Sequence, residues 1–328
     1  MTVARASVVD VARALGVSPS TVSRAFNHPE LLRAETVVAV HAAAERLGYV
    51  PNRHAQALIT GRTGAIGLIV PDITNPFFPK LVRAAQRSAE QRGLSMFVAE
   101  TGYDPEKERR QIATMAPQTE GVIVASSRLP GDELQLIAQR TRVVFINNDT
   151  PGLARVLLSS STALRQGIDH LVASGARRLC YVGGPVRSWS EGERRRTVGD
   201  AVARLGLDAT YLRDESGTYA EARALAKEVL DSGADAVIAF DDVVAHGVLD
   251  GLLVENVRVP GEVALIGCDD ALPIQTHPRM STIRLPFTEA VRAAMGLIAV
   301  DEIQPDTRVE VEGVLELRET TRETTREM

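Results

Sequence analysis

Polar and aromatic side chains follow several apolar runs of this 328-residue sequence. PDITNPFF contains an asparagine and two phenylalanines, and VVFINN contains another asparagine; RRRTVG, GTYAE, AFDD and IGCDD add an arginine, a tyrosine and aspartates. Arginine donates to two adjacent hydroxyls, carboxylates accept from hydroxyls, and phenylalanine faces cover the C–H side of a sugar ring. This chemistry suits a polyol, and the candidate residues are Asn75, Phe77, Phe78, Asn147, Arg196, Tyr219, Asp241 and Asp269.

Several of these residues also have a simpler structural interpretation. Phe77 and Phe78 could belong to the hydrophobic core instead of a binding site. Two of the three arginines in ERRRT are expected to be solvated, and Arg196 is predicted to be the one at the site. Of two adjacent aspartates, Asp269 is predicted to face the ligand and Asp270 to cap a helix.

A second group of residues near the N-terminus has the spacing of two crossing helices. In VDVARALGVSPSTVSRAFN, Ala12 provides the small residue at the crossing, Gly16 the left-handed turn and Val22 the inner apolar contact. Ser18 is predicted to cap the second helix, and Pro19 suits its first turn. The pattern therefore predicts a pair of helices joined by a tight turn.

The outer face of the second helix carries Ser20, Thr21 and Arg24. The two short hydroxyl side chains can approach base edges, and an arginine suits guanine or phosphate. The alternative is an ordinary helical hairpin on a protein surface, since alanine, glycine and valine occur at this spacing by chance.

Beyond Ala65, short apolar runs alternate with longer amphipathic stretches, beginning with AIGLIV, PKLVRAAQRSAEQRG and LSMFVAE. Continuous apolar strands alternating with helices indicate an α/β fold with parallel sheets and helices on both faces. Two such units fit the remaining length. Ligands bind such sheets outside the carboxyl ends of the strands, which is where the polar candidates occur.

The charge of the chain is unevenly distributed. The net charge is −5, but the first 62 residues contain seven arginines and four acidic residues, and the remainder carries −8. A weakly basic N-terminal segment on an acidic body permits phosphate contact at that segment.

The sequence lacks signals for secretion, disulfides or membrane insertion. No run of about 18 apolar residues occurs, and residues 7–14 are amphipathic, with Asp10 and Arg13 among them. Cys180 and Cys268 each lie in an apolar run typical of a buried strand, so no disulfide is expected. We expect a cytosolic protein without a membrane partner.

Signatures of catalysis are also missing from the sequence. It contains no dinucleotide fingerprint, Walker loop, HExxH or GxSxG motif. The six histidines are scattered, and lone histidines on helices are usually solvated or satisfied. We therefore expect a protein that is not an enzyme and that needs no metal or cofactor.

The motifs occur together in an order that resembles the lactose-repressor/galactose-repressor (LacI/GalR) family of bacterial transcription regulators. The resemblance starts with DVARALGVSPSTVSRAFN and LGYVPNRHAQAL, and it continues through VPDITNPFF, RRRTVGDAV, AFDDVVAHG and VALIGCDD. It implies a helix-turn-helix headpiece with a hinge helix, followed by a two-lobed core like that of periplasmic binding proteins. It also places the polyol candidates in or beside an effector cleft, although Asn147 and Asp241 depart from the family's more usual Asp and Asn.

The resemblance further implies which residues contact DNA. The headpiece faces the major groove, and residues 52–58 form a hinge helix on the minor groove with Leu58 as an apolar wedge; a leucine that packs a local turn is the alternative. Pro19 and Ser20 stand where family members differ, so the preferred DNA sequence does not follow. The implied contacts are Ser18, Ser20, Thr21, Arg24, Asn27, Asn52, Arg53 and Leu58.

The function implied is a repressor whose affinity for a pseudo-palindromic operator is controlled by a small molecule, namely a sugar or sugar derivative. A homodimer is expected, because one headpiece offers little contact with DNA and two can bind a pseudo-palindrome. A dimer is favoured over a tetramer, because RETTRETTREM lacks the apolar heptads of a tetramerising helix. The alternative is a cytosolic sugar-binding protein or enzyme without specific DNA binding. The expected divisions are a headpiece and hinge over 1–62, a core over 63–328 with one lobe at about 63–160 and 288–316, the other at about 161–287 and 317–320, and a disordered tail over 321–328.

Overall fold

The chain forms two compact units, Met1–Gly64 and Ala65–Met328. The computed structural model describes residues 6–49, 63–213, 216–273 and 276–322. Within these ranges, no helix is long and apolar enough to cross a membrane.

Over residues 6–49, the smaller unit contains α1 (Val8–Leu15), α2 (Pro19–Asn27) and α3 (Ala34–Leu47), with a 3-10 turn at Pro29–Leu31. Ser7 and Asp10 form a reciprocal capping box at the start of α1. Gly16 ends α1 with φ of 66°, a left-handed conformation that glycine adopts without strain. Ser18 Oγ accepts a hydrogen bond from the Thr21 amide over 3.1 Å at the start of α2. The predicted turn and cap are confirmed.

A small hydrophobic core joins the three helices. Val11, Ala12 and Val22 are at most 3% exposed, as the spacing predicted. The third helix completes the core with Val40, Ala43 and Ala44, so residues 6–49 pack as a three-helix bundle. The predicted hinge contacts Asn52, Arg53 and Leu58 lie outside the described residues.

The larger unit contains two parallel sheets. The first comprises β1 (Ala65–Val70), β2 (Ser95–Glu100), β3 (Val122–Ala125), β4 (Val143–Ile146), β5 (Arg155–Ser159) and β11 (Arg308–Glu312), in the spatial order β11-β5-β4-β3-β1-β2. The second comprises β6 (Arg178–Gly183), β7 (Asp208–Arg213), β8 (Ala236–Ala239) and β9 (Ala264–Ile266), in the order β7-β6-β8-β9. β10 (Thr282–Arg284) and β12 (Val314–Glu316) form an antiparallel ribbon.

Helices cover both faces of each sheet. They are α4 (Phe77–Gln91), α5 (Pro105–Met115), α6 (Gly131–Arg140), α7 (Ser161–Ala173), α8 (Trp189–Leu205), α9 (Tyr219–Ala224), α10 (Ala226–Asp231), α11 (Asp242–Val254) and α12 (Phe287–Ala299), with a 3-10 turn at Ala116–Gln118. All six residues of β1 are buried, which agrees with the unbroken apolar pattern of a sheet covered on both faces. The predicted α/β class is confirmed.

The chain passes between the two sheets three times. It crosses after β5, after β10 and after β11. We call the first sheet with its helices the first lobe, and the second sheet with its helices the second lobe. One hydrophobic core continues from the first lobe into the second, because Ile66 and Ile283 belong to the same buried cluster as Tyr181.

The prediction of a disordered tail from residue 321 is wrong for its first two residues. Thr321 is buried, and its hydroxyl lies 2.9 Å from that of Ser281. Arg322 Nε donates to the Pro260 carbonyl over 2.8 Å. The polar composition of this segment suggests that it is solvated, but a polar segment is ordered when hydrogen-bond partners surround it. Residues 323–328 lie outside the described residues.

Candidate functional site

A cleft lies at the carboxyl ends of strands from both sheets. Residues following β1, β3 and β4 line one wall, and residues following β6, β8 and β9 line the other. This is the position at which parallel α/β sheets bind ligands. Six of the eight predicted binding residues line the cleft: Asn75, Phe77, Phe78, Asn147, Asp241 and Asp269.

A buried ion pair lies in the second lobe. Arg194 of α8 is 3% exposed, and its Nη2 donates to Asp269 Oδ1 over 2.8 Å. Its Nε lies 3.3 Å from Ser160 Oγ, and its guanidinium carbon lies 4.9 Å from the centre of the Phe240 ring. These contacts fix the guanidinium beside the carboxylate, so that donors and acceptors face the cleft together.

Asp241 links the two walls of the cleft. Its Oδ1 caps α11 by accepting from the Val244 amide over 2.9 Å, and its Oδ2 accepts from Asn75 Nδ2 across the cleft over 3.3 Å. Burial raises the pKa of Asp241 to about 7, and the charge of Asp269 contributes to the rise. The following residue, Asp242, has its pKa raised to about 8 by the same two causes.

Asn147 makes a second contact between the walls. It has φ of 53°, in the left-handed region that asparagine tolerates better than most residues. Its Oδ1 accepts from the Leu158 amide over 2.9 Å, and its Nδ2 lies 3.3 Å from Ser190 Oγ on the other lobe. The side chain is therefore held by its own lobe and extends toward the other.

The two phenylalanines satisfy both interpretations given to them. Phe77 and Phe78 are buried and belong to the main hydrophobic core, yet they also line the cleft. Their ring centres lie 5.1 Å apart at a steep angle, and Phe77 makes a similar contact with Phe287. The core thus supplies a rigid apolar floor to the cleft.

The smaller unit carries the other predicted set on α2. Ser18 Oγ lies 2.8 Å from Ser20 Oγ and 2.9 Å from Thr21 Oγ1, which ties three hydroxyls to the start of the helix. Arg24 is exposed and makes no ion pair with the residues that the structure describes. Asn27, the last residue of the helix, is half-buried. A short polar face with one available guanidinium therefore covers this helix.

Both units match known family models. Residues 7–52 match the bacterial regulatory proteins of the lacI family, and residues 63–313 match the periplasmic binding proteins and sugar binding domain of the LacI family. The second match covers more than half of the chain. The chain belongs to the LacI family. This result confirms the resemblance and the prediction of a transcriptional regulator.

Individual LacI-family relatives agree with this placement. The chain is 31% identical to the HTH-type transcriptional regulator GalR of Escherichia coli K12, over 92% of this chain and 90% of that protein. It is 29% identical to the ribose operon repressor of Bacillus subtilis 168, over 97% and 99% respectively. The solved lac repressor dimer bound to operator and the anti-inducer ONPF has the same fold, with a TM-score of 0.86, 23% identity, and coverage of 97% of this chain and 100% of that one.

Two residues predicted for the LacI-family cleft lie elsewhere. Arg196 is exposed on α8, because two helical positions rotate a side chain by about 200° from Arg194. Tyr219 begins α9, is 45% exposed and hydrogen-bonds Asp250. Ser216 and Gly217, in the loop before Tyr219, line the cleft instead.

Asp270 does not cap a helix, because no helix follows it among the described residues before α12. Its carboxylate instead accepts from Arg318 Nη1 over 2.8 Å. Described residues also form no group of three or more His, Cys, Asp or Glu side chains placed to hold a metal ion.

The sequence reasoning missed a polar edge of this LacI-family cleft. Tyr103 follows β2 and Arg128 follows β3, and the Arg128 guanidinium carbon lies 5.1 Å from the centre of the Tyr103 ring. Ser188 and Ser190 line the same edge at the start of α8. These four residues also follow the ends of strands, so the rule that identified the other cleft residues applies to them as well.

Proposed function

We propose that this LacI-family chain is a sequence-specific repressor whose affinity for operator DNA is controlled by a small molecule bound in the cleft. The observation that carries the proposal is the presence in one chain of an exposed polar helix face and a two-lobed polar cleft. Ser20, Thr21 and Arg24 have the size and chemistry to read base edges. The curated relatives named above are a transcriptional regulator and an operon repressor.

In this proposal, α2 enters the major groove of the operator. Ser18, Ser20, Thr21, Arg24 and Asn27 form the contacting surface, as is usual for the second helix of a helix-turn-helix unit. Because Pro19 separates the first two serines and donates no hydrogen bond, direct readout at the start of the helix falls to Ser20.

The segment between the units provides the minor-groove contacts. We propose that Asn52 and Arg53 bind there and that Leu58 enters between two base steps. Unstacking one step costs on the order of a few kcal/mol, and the bent duplex then contacts more protein surface. A short helix is marginal alone in water, so its formation on DNA is easy to control from the core.

The effector proposed is a sugar or sugar derivative. The Arg194–Asp269 pair offers donors and an acceptor to adjacent hydroxyls, and the Phe77 and Phe78 rings cover a C–H face. Residues 63–313 match a family model described as a sugar binding domain. Binding without turnover is proposed, in keeping with relatives that act on transcription.

Ligand control requires that the two lobes change their arrangement at low cost. The side-chain bonds from Asn75 to Asp241 and from Asn147 to Ser190 are both 3.3 Å long. Each such bond contributes about 1 kcal/mol net, so a ligand that binds one arrangement better can shift the equilibrium. A coupling of roughly 1–3 kcal/mol between ligand and DNA suffices for a useful response.

A homodimer in the cytoplasm, where operator DNA is found, completes the proposal. Two headpieces related by a two-fold axis would read a pseudo-palindrome. Exposed apolar side chains occur in both lobes, at Phe97 and Val98 on β2 and at Leu253 and Val254 on α11. The solved lac repressor with the same fold is a dimer bound to operator.

Arg24→Ala tests the DNA-binding surface. Operator fragments are first selected from genomic DNA with the purified protein, and affinity is then measured by gel shift. Loss of a guanidinium that contacts a base or phosphate should weaken binding by well over tenfold. Arg196→Ala removes an exposed arginine from the other unit and serves as the matched control. Equal affinity of the Arg24→Ala and unchanged proteins would remove the proposed role of α2.

The alternative, a cytosolic sugar-binding protein or enzyme without specific DNA binding, predicts a different result. Such a protein would select no DNA sequence over a random competitor, and an enzyme would consume candidate sugars. A competition gel with random DNA and a turnover assay on the same sample distinguish the two functions.

A further inference from the structure

At the edge of the cleft, the side chain of Arg128 from the first lobe contacts the main chain of Arg187 from the second lobe. Arg128 follows β3, and Arg187 stands two residues before α8. The guanidinium of Arg128 donates a hydrogen bond to the main-chain carbonyl of Arg187 and lies over the Tyr103 ring. Arg128 lines the cleft, and Arg187 is exposed beside it.

Neither arginine has a close ionic partner among the described residues. Among the described residues, no carboxylate oxygen lies within 4.0 Å of either guanidinium. Arg194, by contrast, has Asp269 at 2.8 Å. Burial lowers the pKa of Arg128; Tyr103 and Glu108 oppose this shift, and the positive charge of Arg187 adds to it. Two like charges close enough to interact cost free energy, which an anion bound near them would offset.

Glu108, whose charge acts on Arg128, forms its hydrogen bonds with groups other than the Arg128 guanidinium. Glu108 is buried, with one oxygen bound by the Ser127 hydroxyl and the other accepting from the main-chain amide of Arg128 over 3.1 Å. Burial raises the pKa of Glu108, and its hydrogen bonds from Ser127 and the Arg128 amide oppose that rise. The carboxylate therefore holds the loop in place and leaves the guanidinium available to the cleft.

The start of α8 adds donors at the same edge. Ser188 caps this 17-residue helix, and both Ser188 and Ser190 line the cleft. The first N–H groups of a helix have no partner within it and carry partial positive charge. These groups supplement a site whose charge comes from the two arginines.

We propose that the cleft contains an oxyanion subsite formed by Arg128 and Arg187, and that the effector is a sugar derivative carrying a phosphate ester or a carboxylate. This inference rests on the proposed function, because it specifies the effector of the same cleft. The polyol part lies against Phe77, Arg194 and Asp269. The oxyanion bridges an arginine of each lobe, so the anion itself favours one arrangement of the lobes.

Small anions test the subsite without knowledge of the sugar. Thermal unfolding of the full chain, followed by the fluorescence of Trp189, the only tryptophan, is measured in inorganic phosphate and in chloride at equal ionic strength. Glycerol, glycerol 3-phosphate and D-glycerate form a matched set in which only the anionic group changes. We expect stabilisation by phosphate and by at least one glycerol-derived anion, and less by glycerol; the two anions distinguish a phosphate ester from a carboxylate.

The Arg128→Gln/Arg187→Gln double variant should bind these anions at least tenfold more weakly. Arg196→Gln removes one exposed charge from the lobe that carries Arg187, and this control variant should bind the anions as tightly as the unchanged protein. Phosphate can also bind arginines of the smaller unit. The measured quantity is therefore the difference in anion-induced stabilisation between the double variant and the unchanged protein. Anion binding that the double variant retains, or glycerol binding as tight as that of its anions, would overturn the subsite.

Failure of the subsite and failure of the proposed function give different results. A neutral sugar that releases operator equally from the unchanged protein and the double variant leaves the repressor intact and removes the subsite. Anion binding that depends on the arginines, in a protein that selects no operator, leaves the subsite and removes the repressor.

Discussion

At the residue scale, side chains that line the cleft form hydrogen bonds and an ion pair with one another. Asp241 is 2% exposed, caps α11 and accepts from Asn75. It shares its surroundings with Asp269, whose charge Arg194 balances. A second buried carboxylate beside an already satisfied pair is costly, and its free energy depends on pH.

Replacing that carboxyl should change the pH dependence of stability. The folded chain raises the pKa of Asp241 from 3.8 to about 7, so its contribution is full below 3.8 and is lost as pH rises through about 7. Asp241→Asn keeps the helix cap, removes the charge and gives up the hydrogen bond from Asn75, a loss that is the same at every pH. We expect the free energy of unfolding to rise by about 1–3 kcal/mol at pH 8 and by less at pH 5.

Urea unfolding followed by Trp189 fluorescence measures this difference in the larger unit. Asp200→Asn, at an exposed position of α8, should behave like the unchanged protein at both pH values. The raised pKa of Asp241 would be contradicted if the Asp241→Asn protein and the unchanged chain lost the same amount of stability between pH 5 and pH 8. Asp242 is left in both proteins, so some pH dependence remains.

Sequence reasoning at this scale found residue types better than individual positions. Asn75 and Asp269 follow buried strands, and the strand-end rule placed them correctly. The run of three arginines did not reveal its helical phase, because that depends on which face of α8 packs against the sheets. The sequence predicts Arg196 as the cleft arginine, whereas the buried arginine at the cleft is Arg194. The bond between Asn147 and Ser190 joins distant segments, which no local pattern reveals.

At the element scale, one buried carboxylate holds the crossing from β5 into α7. Glu193 is 5% exposed, and its Oε1 accepts from Ser159 Oγ over 2.7 Å and from the Ser160 and Ser161 amides over 3.0 Å. Its Oε2 accepts from Ser160 Oγ over 2.9 Å. The next residue of α8 is Arg194, so the helix that carries the cleft arginine also anchors a crossing between the lobes.

Glu193→Gln should therefore destabilise the larger unit. The amide group replaces one acceptor by a donor among groups that already donate, which leaves buried N–H or O–H groups unsatisfied. We expect a loss of about 2–3 kcal/mol in the free energy of unfolding, measured in urea. Glu255→Gln, at an exposed position after α11, should change it by no more than about 0.5 kcal/mol. Similar small effects from both substitutions would mean that the crossing does not depend on this carboxylate.

Local signals predicted most elements, because they act over a few residues. The cap at Ser18 and the turn at Gly16 are such signals, and both are present. The third helix of the smaller unit was not assigned a role, since the spacing of α1 and α2 says nothing of what covers them. Thr321 was misjudged for a similar reason, because the acceptors that bury it come from residues far away in sequence.

At the scale of the whole molecule, β2 forms the edge of the first sheet with apolar side chains exposed. Phe97 and Val98 are 46% and 40% exposed, which is unusual for an edge strand of a monomer. We expect Phe97→Glu to shift the protein toward monomer in sedimentation equilibrium and to weaken operator binding at least tenfold. Leu136→Glu changes a residue of α6 that is 53% exposed and is the matched control. A Phe97→Glu protein that remains as dimeric as the control would exclude this edge from the interface.

The three crossings between the lobes also limit how this chain can be divided. Each lobe is assembled from segments that are separated in sequence, so one cleavage of the core releases neither as a folded fragment. The smaller unit, by contrast, is a single continuous stretch. Exchange of genetic material at one junction can therefore give a core a new headpiece, whereas the two lobes must be inherited together.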